Sequence, residues 1–123
     1  MKNKEFHKLL REIAKLHDRK NQDYGTDTDC LANLKGCQRI GLHPATGVVI
    51  RLQDKWARIE NFFKKGKLAN ESVKDSLLDN AVYSLLAIQI IEEHEKQKTK
   101  NTFLTQYFYW NTMRINTQDF KRG

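Results

Sequence analysis

Residues that break helices are scarce in this chain, and this scarcity limits its possible folds more than any other feature. Pro44 is the only proline, and the 123 residues include only six glycines. Helix interiors tolerate these two residues least, so long stretches remain in which helices can run unbroken. No segment before residue 102 has the alternating pattern of a β-strand. The sequence therefore predicts an all-α fold.

The spacing of apolar residues predicts four main helices. The first spans about residues 3–20, and a second, shorter one lies between Thr28 and Ile40, where Gly36 weakens the pattern. The third is the clearest, over Arg51–Phe63, and the fourth runs from Glu71 to about Lys96. The third has the 3–4 spacing of a packing seam, which predicts that its apolar residues are core: Val49, Leu52, Trp56, Ile59 and Phe63. Together these helices predict a four-helix bundle.

The chain changes character near its C-terminus. We divide it into an all-α domain, residues 1–97, and an aromatic and basic extension, residues 98–123. The extension contains a cluster of large aromatic side chains and is predicted to be either a short helix or an extended arm: Phe103, Tyr107, Phe108, Tyr109 and Trp110. An exposed set this large would form a sticky patch, so we expect it to pack on the bundle or on a neighbouring subunit.

The fourth helix predicts an oligomer. Its segment Ala81–Ile91 is apolar nearly all the way round, so more than one layer of protein must cover it. A single small subunit can hardly do so. The sequence therefore predicts a homodimer or a homotetramer.

The net charge of +7 is concentrated at the two ends of the chain. Residues 1–20 hold seven Lys or Arg against three acids, and residues 96–123 hold six against one. Both ends lie outside the segment with the clearest helical pattern. We therefore expect their charges to form a solvated surface or to attract small polyphosphates rather than to bind nucleic acid. No apolar run approaches the roughly 20 residues of a membrane helix, so no membrane partner is expected. Cys30 and Cys37 are too few and too close for a secreted disulfide scaffold, which favours the cytoplasm.

Ionisable residues on the last two predicted helices are the strongest functional signal. Glu71, Asp75 and Asp79 recur every fourth residue and so lie along one face of the fourth helix. Carboxylates that run into a buried stretch are costly unless a cation or hydrogen-bond donors meet them. A divalent metal that holds a phosphate would meet that need, and arginine forks on the third helix would suit the remaining phosphate oxygens.

Several short segments carry a resemblance to a known family. They are DYG (Asp23–Gly25), Ala32–Asn33, RLQDKWARI (Arg51–Ile59), ES (Glu71–Ser72) and DSLLDNAVY (Asp75–Tyr83). In this order they resemble the phage-encoded nucleotide modification associated domain proteins, which in turn resemble the all-α, MazG-like nucleoside triphosphate pyrophosphatases. The resemblance covers about residues 4–95 and leaves the aromatic extension out.

The resemblance implies an oligomeric helical bundle, in the host cytoplasm if phage-encoded, that binds a nucleotide together with Mg²⁺ or Mn²⁺. Asp79 matches the last acid of the pyrophosphatases' E-x-x-D pair, and Asp75 stands one residue from the expected place. Asp54 is the only matching acid on the earlier helix, because Ala57 occupies the position three residues on. The implied residues are Asp54, Asp75 and Asp79 for catalysis; these three and Glu71 for the metal; Arg51, Lys55 and Arg58 for phosphate; and Asp23, Tyr24, Asn80 and Tyr83 as neighbours.

Two functions follow from this interpretation. The first is a Mg²⁺-dependent (deoxy)nucleoside triphosphate pyrophosphohydrolase of phage nucleotide metabolism, in which metal-held water attacks and the cations neutralise the leaving phosphates. The alternative is a non-catalytic protein that sequesters or senses a signalling nucleotide, such as an anti-defence sponge. The intact acidic column on the fourth helix slightly favours the enzyme. The thinner acidic set on the third helix, where Lys55 and Arg58 stand in place of further acids, supports the alternative.

Overall fold

A computed structural model shows that the chain is helical. It describes residues 1–25, 29–67 and 72–122, without the side chains of residues 22 and 116–122. The elements are α1 (Lys4–Tyr24), a short 3₁₀ helix (Gly36–Ile40), α2 (Thr46–Lys65) and α3 (Val73–Arg122). The described ranges contain no strand, so the all-α prediction is confirmed. Within those ranges no helix is both long and apolar enough to cross a membrane.

Helix α1 begins where the sequence predicts but ends later. The Asn3 side chain caps it by accepting a hydrogen bond from the Phe6 amide at 3.1 Å. The helix continues to Tyr24, which is buried, and Ile13 and Leu16 pack against the same core. Its last residues therefore belong to the packed interior rather than to the predicted loop.

The predicted second helix is a series of turns followed by the 3₁₀ helix. Leu31 and Leu34 are buried as core residues, but the Asp29 carboxylate accepts the Leu31 amide at 2.9 Å and so favours a turn. Gly41 then ends the 3₁₀ helix with a φ of 83°. The described residues therefore form three α-helices where the sequence predicts four.

Gly25 permits a close approach of the chain to the end of α1. A Cβ atom built on Gly25 would overlap the backbone of Cys30, so the two can lie this close only without a side chain. The Asn33 backbone N–H also donates a hydrogen bond to the Tyr24 carbonyl, at 2.8 Å. These two contacts hold Cys30 and Asn33 against the end of α1.

Helix α2 packs on a stripe next to the predicted one. Its inward positions are Val48, Leu52, Lys55, Ile59 and Phe62, of which Val48 and Ile59 are fully buried. The predicted seam residues Val49, Trp56 and Phe63 are instead exposed, Trp56 by 55%. The prediction missed by one residue because it excluded a lysine from the packed face. Gly66, with a φ of 74°, ends the helix.

Helix α3 is continuous for 50 residues and includes the C-terminal extension, so the extended-arm alternative is wrong. Ser72 and Asp75 cap its start: the Asp75 amide donates to the Ser72 hydroxyl at 3.1 Å, and the Ser72 amide donates to the Asp75 carboxylate at 3.4 Å. Of the apolar segment, Val82, Leu86, Ala87 and Ile90 are buried, whereas Leu85, Ile88 and Ile91 are exposed.

The chain divides into two compact units, Met1–Ile91 and Glu92–Gly123. The first unit contains the core, in which Tyr24 of α1, Val48 of α2, and Val82 and Ile90 of α3 pack with Leu31. The second unit is the C-terminal part of α3, and its described large apolar side chains are exposed.

Candidate functional site

Asp79 lies at the meeting point of the three helices. It is 8% exposed and sits on the buried face of α3, one turn from Ser76 and Val82. One of its carboxylate oxygens accepts the Lys20 ammonium of α1 at 2.9 Å, and the other accepts the Lys55 ammonium of α2 at 2.8 Å. We call these three residues the Asp79 cluster.

The Asp79 carboxyl is ionised within the cluster. Burial raises the pKa of the Asp79 carboxyl, but the hydrogen bonds and positive charges of Lys55 and Lys20 outweigh burial, so its pKa lies below the usual value. The carboxylate is therefore ionised at neutral pH. Two ammonium groups from two other helices meet it in a largely buried position.

An aromatic pair lies close to the Asp79 cluster. The Arg51 guanidinium is 5.8 Å from the centre of the Tyr83 ring, within the range of a cation–π contact. Burial raises the pKa of Tyr24 to about 12, and the neighbouring Tyr83 and Asp79 add to the rise while Arg51 opposes it. The Tyr24 hydroxyl is buried near the Tyr83 phenol but outside hydrogen-bond geometry.

Three buried polar atoms lack hydrogen-bond partners among the described residues. They are the Tyr24 hydroxyl and the side-chain oxygens of Asn21 and Asn80. Buried polar groups in proteins are nearly always satisfied, by protein or by ordered water. Asn21 and Tyr24 follow Lys20 on α1, and Asn80 follows Asp79 on α3.

A cavity of about 440 Å³ opens between α1 and α3 beside the Asp79 cluster. Most of the residues that line this cavity are charged. An ion pair bridges the two helices there, with 3.0 Å between the Lys74 Nζ and Glu12 Oε2 atoms. A cavity of this size falls within the range of small-ligand sites. Its lining consists of Glu12, Leu16, Arg19, Lys20, Lys74, Asp75, Leu78 and Asp79.

The structure brings together only part of the predicted site. Lys55, Tyr24, Tyr83 and Arg51 lie around Asp79 as neighbours or charge partners. Asp75 lines the α1–α3 cavity with Asp79, but its carboxylate caps α3.

The remaining predicted residues lie elsewhere. Asp54 and Arg58 are exposed on α2 and do not line the α1–α3 cavity. Asp23 is exposed, and its carbonyl accepts the Asn33 side chain at 3.0 Å. Asn80 lines a separate, apolar groove between α2 and α3, and Glu71 lies outside the described residues.

The described residues do not fit a magnesium ion at Asp79. Mg²⁺ needs open oxygen ligands in a near-octahedral arrangement, but lysines occupy both Asp79 oxygens and the Asp75 carboxylate caps a helix. In the part of the chain that the structure describes, no group of three or more His, Cys, Asp or Glu side chains is placed to hold a metal ion.

Sequence reasoning missed Lys20 and Asn21. The signal for Lys20 is its register: it continues the inward stripe Ile13, Leu16, Lys20, Tyr24 at helical spacing. A lysine in such a stripe needs an acidic partner on another helix, and Asp79 is that partner.

Comparisons with known proteins give no relative for this chain. Neither a scan against models of protein families, nor a search of curated proteins, nor a search of solved structures found a match.

Proposed function

We propose that this protein binds a nucleotide through its phosphates at the Asp79 cluster and does not hydrolyse it. The observation that carries the proposal is the pairing of one buried carboxylate with two lysines from two other helices. The ammonium group of Lys20 is partly exposed and lines the α1–α3 cavity, where it can donate to the phosphate oxygens of an anion. The resemblance to the phage nucleotide modification associated domain proteins supports a nucleotide as that anion.

Binding without hydrolysis fits the donor set better than catalysis does. Metal-assisted hydrolysis requires carboxylates that hold the ion firmly, whereas Asp79 is committed to lysines and Asp75 to a helix cap. The lysines also explain how a protein can keep a phosphate: as ammonium donors they form charge-assisted hydrogen bonds with its oxygens. A nucleotide held this way would be sequestered or sensed.

The first experiment identifies what is bound and whether it changes. The protein is incubated with nucleoside triphosphates and signalling nucleotides, with and without Mg²⁺, then heat-denatured, and the released compounds are separated. An intact nucleotide protected without Mg²⁺ supports the proposal. Monophosphate and pyrophosphate that form only with Mg²⁺ would overturn it in favour of the pyrophosphohydrolase prediction.

The second experiment uses variants with effects of opposite sign. Lys20→Gln and Lys55→Gln should each weaken binding about 10-fold or more, because each removes a charge-assisted hydrogen bond. Asp79→Asn should bind at least as tightly as wild type, since Asp79 competes with phosphate for the same ammonium groups. Lys15→Gln, at an exposed position on the same helix, is the matched control and should change nothing.

The competing explanation is a purely structural ion network. In that case no nucleotide in the panel binds, and Asp79→Asn lowers stability without a ligand effect. A loss of nucleotide binding in Asp79→Asn, with the fold intact by circular dichroism, would likewise count against the lysine-based site and for the hydrolase prediction.

We also propose that the protein is a homodimer or homotetramer built on α2 and α3. Exposed apolar side chains line the outer sides of both helices: Val49, Trp56, Phe63, Leu77, Leu85, Ile88 and Ile91. Two copies of α2 and α3 would together form a four-helix bundle that buries them. Trp56→Glu should dissociate the oligomer in light scattering, whereas Ile40→Glu, at another exposed position, should not. A wild-type monomer at micromolar concentration would overturn this proposal.

A further inference from the structure

The C-terminal part of α3 places basic and aromatic residues on one stripe. At 3.6 residues per turn, positions 96, 100, 103, 107, 110 and 114 fall within an arc of about 80°. We call this set the aromatic–basic stripe: Lys96, Lys100, Phe103, Tyr107, Trp110 and Arg114. The sequence left the conformation of this segment open, and only a continuous helix brings these residues into line.

The three rings of the stripe are presented to solvent. Phe103 and Trp110 are each 70% exposed and Tyr107 is 62% exposed, and the three cations of the stripe are exposed as well. Tyr107 lies edge to face with Phe108, with ring centres 5.8 Å apart, which restricts its orientation. Along the helix axis the rings are spaced by about 4.5–6 Å, and Lys96 and Arg114 are about 27 Å apart.

We propose that this stripe binds single-stranded nucleic acid. Rings with exposed faces provide stacking platforms for unpaired bases, and cations at both ends of the row contact the phosphates of the same strand. The chemistry differs from that of a pocket for one nucleotide, because the stripe is linear and spans several nucleotides. This inference does not depend on the proposed function of the Asp79 cluster.

The position of the cations favours nucleic acid over a membrane surface. A helix that lies in a membrane interface carries its Lys and Arg on the polar face, opposite its aromatic residues. Here the opposite face carries Lys98 and Tyr109 with Thr105 and Thr112, whose hydroxyls donate to backbone carbonyls. Three of the four cations between residues 96 and 115 instead share the aromatic stripe. If the rings of the stripe were buried in lipid, the cations on the same stripe would be buried with them, which is unfavourable.

Charge also disfavours pairing with a second copy of the stripe. A parallel pair would set Lys96, Lys100 and Arg114 against the same residues of the other copy. An antiparallel pair centred on the rings would set Arg114 close to Lys100. Like charges facing each other are destabilising, whereas a phosphate backbone neutralises all three.

The test measures fluorescence anisotropy of a labelled oligothymidylate of about 20 nucleotides with the full-length protein at about 50 and 200 mM salt. We expect the affinity for the single strand to fall as the salt concentration rises. We also expect a duplex of the same length to bind more weakly than the single strand. Tyr107→Ala and Trp110→Ala should each weaken binding about 5- to 100-fold, the usual range for loss of one stacking ring. Lys100→Gln and Arg114→Gln should each reduce the salt dependence by about one phosphate contact.

Two matched controls lie off the stripe on the same helix. Tyr109→Ala removes an exposed ring, and Lys98→Gln removes an exposed cation, and neither should reduce binding as the stripe variants do. Circular dichroism verifies that every variant keeps its helix, and Tyr107→Phe should retain binding because it keeps the stacking face. Absence of binding at low salt, equal effects of the controls, or binding to anionic vesicles in place of the oligonucleotide would each overturn the proposal.

Discussion

The Asp79 cluster and the aromatic–basic stripe both contain lysines, but they hold them differently. In the cluster, three helices each contribute one charged group, and each ammonium lies within 3 Å of a largely buried carboxylate. On the stripe, one helix supplies every residue, and all of them are exposed. Tertiary packing therefore creates the Asp79 cluster, whereas helix periodicity alone creates the aromatic–basic stripe. The two sites should therefore respond differently to the same kind of change.

The largest expected difference is in local stability. Amides of residues 76–90 should exchange with solvent only through global unfolding, because that part of α3 carries four residues of the buried core cluster. Amides of residues 96–114 should exchange by local opening, with a free energy lower by roughly 5 kcal/mol, since their side chains are exposed. Native-state hydrogen exchange measures both in one experiment. Equal protection along α3 would contradict the distinction.

The next effect is the loss of the central carboxylate. Asp79→Ala removes the carboxylate that both lysines contact, which should lower the free energy of unfolding by about 2–3 kcal/mol, since Lys20 keeps some contact with water. The measurement is the urea midpoint at constant m-value. Glu12→Ala removes a more exposed ion pair with Lys74 and should cost less than about 1 kcal/mol. Similar losses in both variants would mean that the Asp79 cluster is no more than a surface network.

A smaller effect depends on pH. The folded pKa of Asp79 is depressed, so its contribution to stability is complete above the unfolded value of about 3.9 and is lost as pH falls through the folded value. Wild type should therefore destabilise more steeply below about pH 4 than Asp79→Asn does. Parallel acid denaturation curves for the two proteins would show that Lys20 and Lys55 do not hold the carboxylate ionised.

The smallest effect concerns Tyr24. Its hydroxyl is buried and has no hydrogen-bond partner among the described residues, so Tyr24→Phe should change stability by less than about 1 kcal/mol near neutral pH. The raised pKa adds stability that is complete below about pH 10 and is lost as pH rises towards the folded value of about 12. An ultraviolet titration should show a late component that ionises near pH 12, and Tyr24→Phe should remove that component. If the late component persists in the variant, another tyrosine is the buried one.

The sequence predicts the helical class and part of the core, because apolar periodicity reports on burial. The predicted apolar segment Ala81–Ile91 contains four core residues, whereas three of the five predicted seam residues of α2 are exposed. It places α2 correctly but assigns its packed face to Trp56 rather than to Lys55, since a charged residue is normally scored as exposed. The sequence predicts both Asp79 and Lys55 as site residues, but it does not predict that they contact each other. That pairing depends on the angle at which α2 meets α3, which no single helix pattern contains.

The predicted metal set illustrates a second limit. The recurrence of Glu71, Asp75 and Asp79 predicts one acidic column, yet Asp75 caps the helix and Asp79 turns to two lysines. Helical spacing predicts which side chains share a face, but it does not predict the hydrogen-bond or ion-pair partner of each side chain. Lys20, the partner that decides the chemistry, lies 59 residues from Asp79 in the chain.

The close approach of Gly25 to the Cys30 backbone has an evolutionary consequence. Because the backbone of Cys30 occupies the space of any side chain there, glycine should be invariant at this position among relatives, whatever they bind. Conservation of the DYG segment would thus record chain geometry and not function. Covariation carries the functional information: lineages that lose Asp79 while retaining both lysines would have kept an anion site, whereas lineages that change all three together would have kept only a packed ion network.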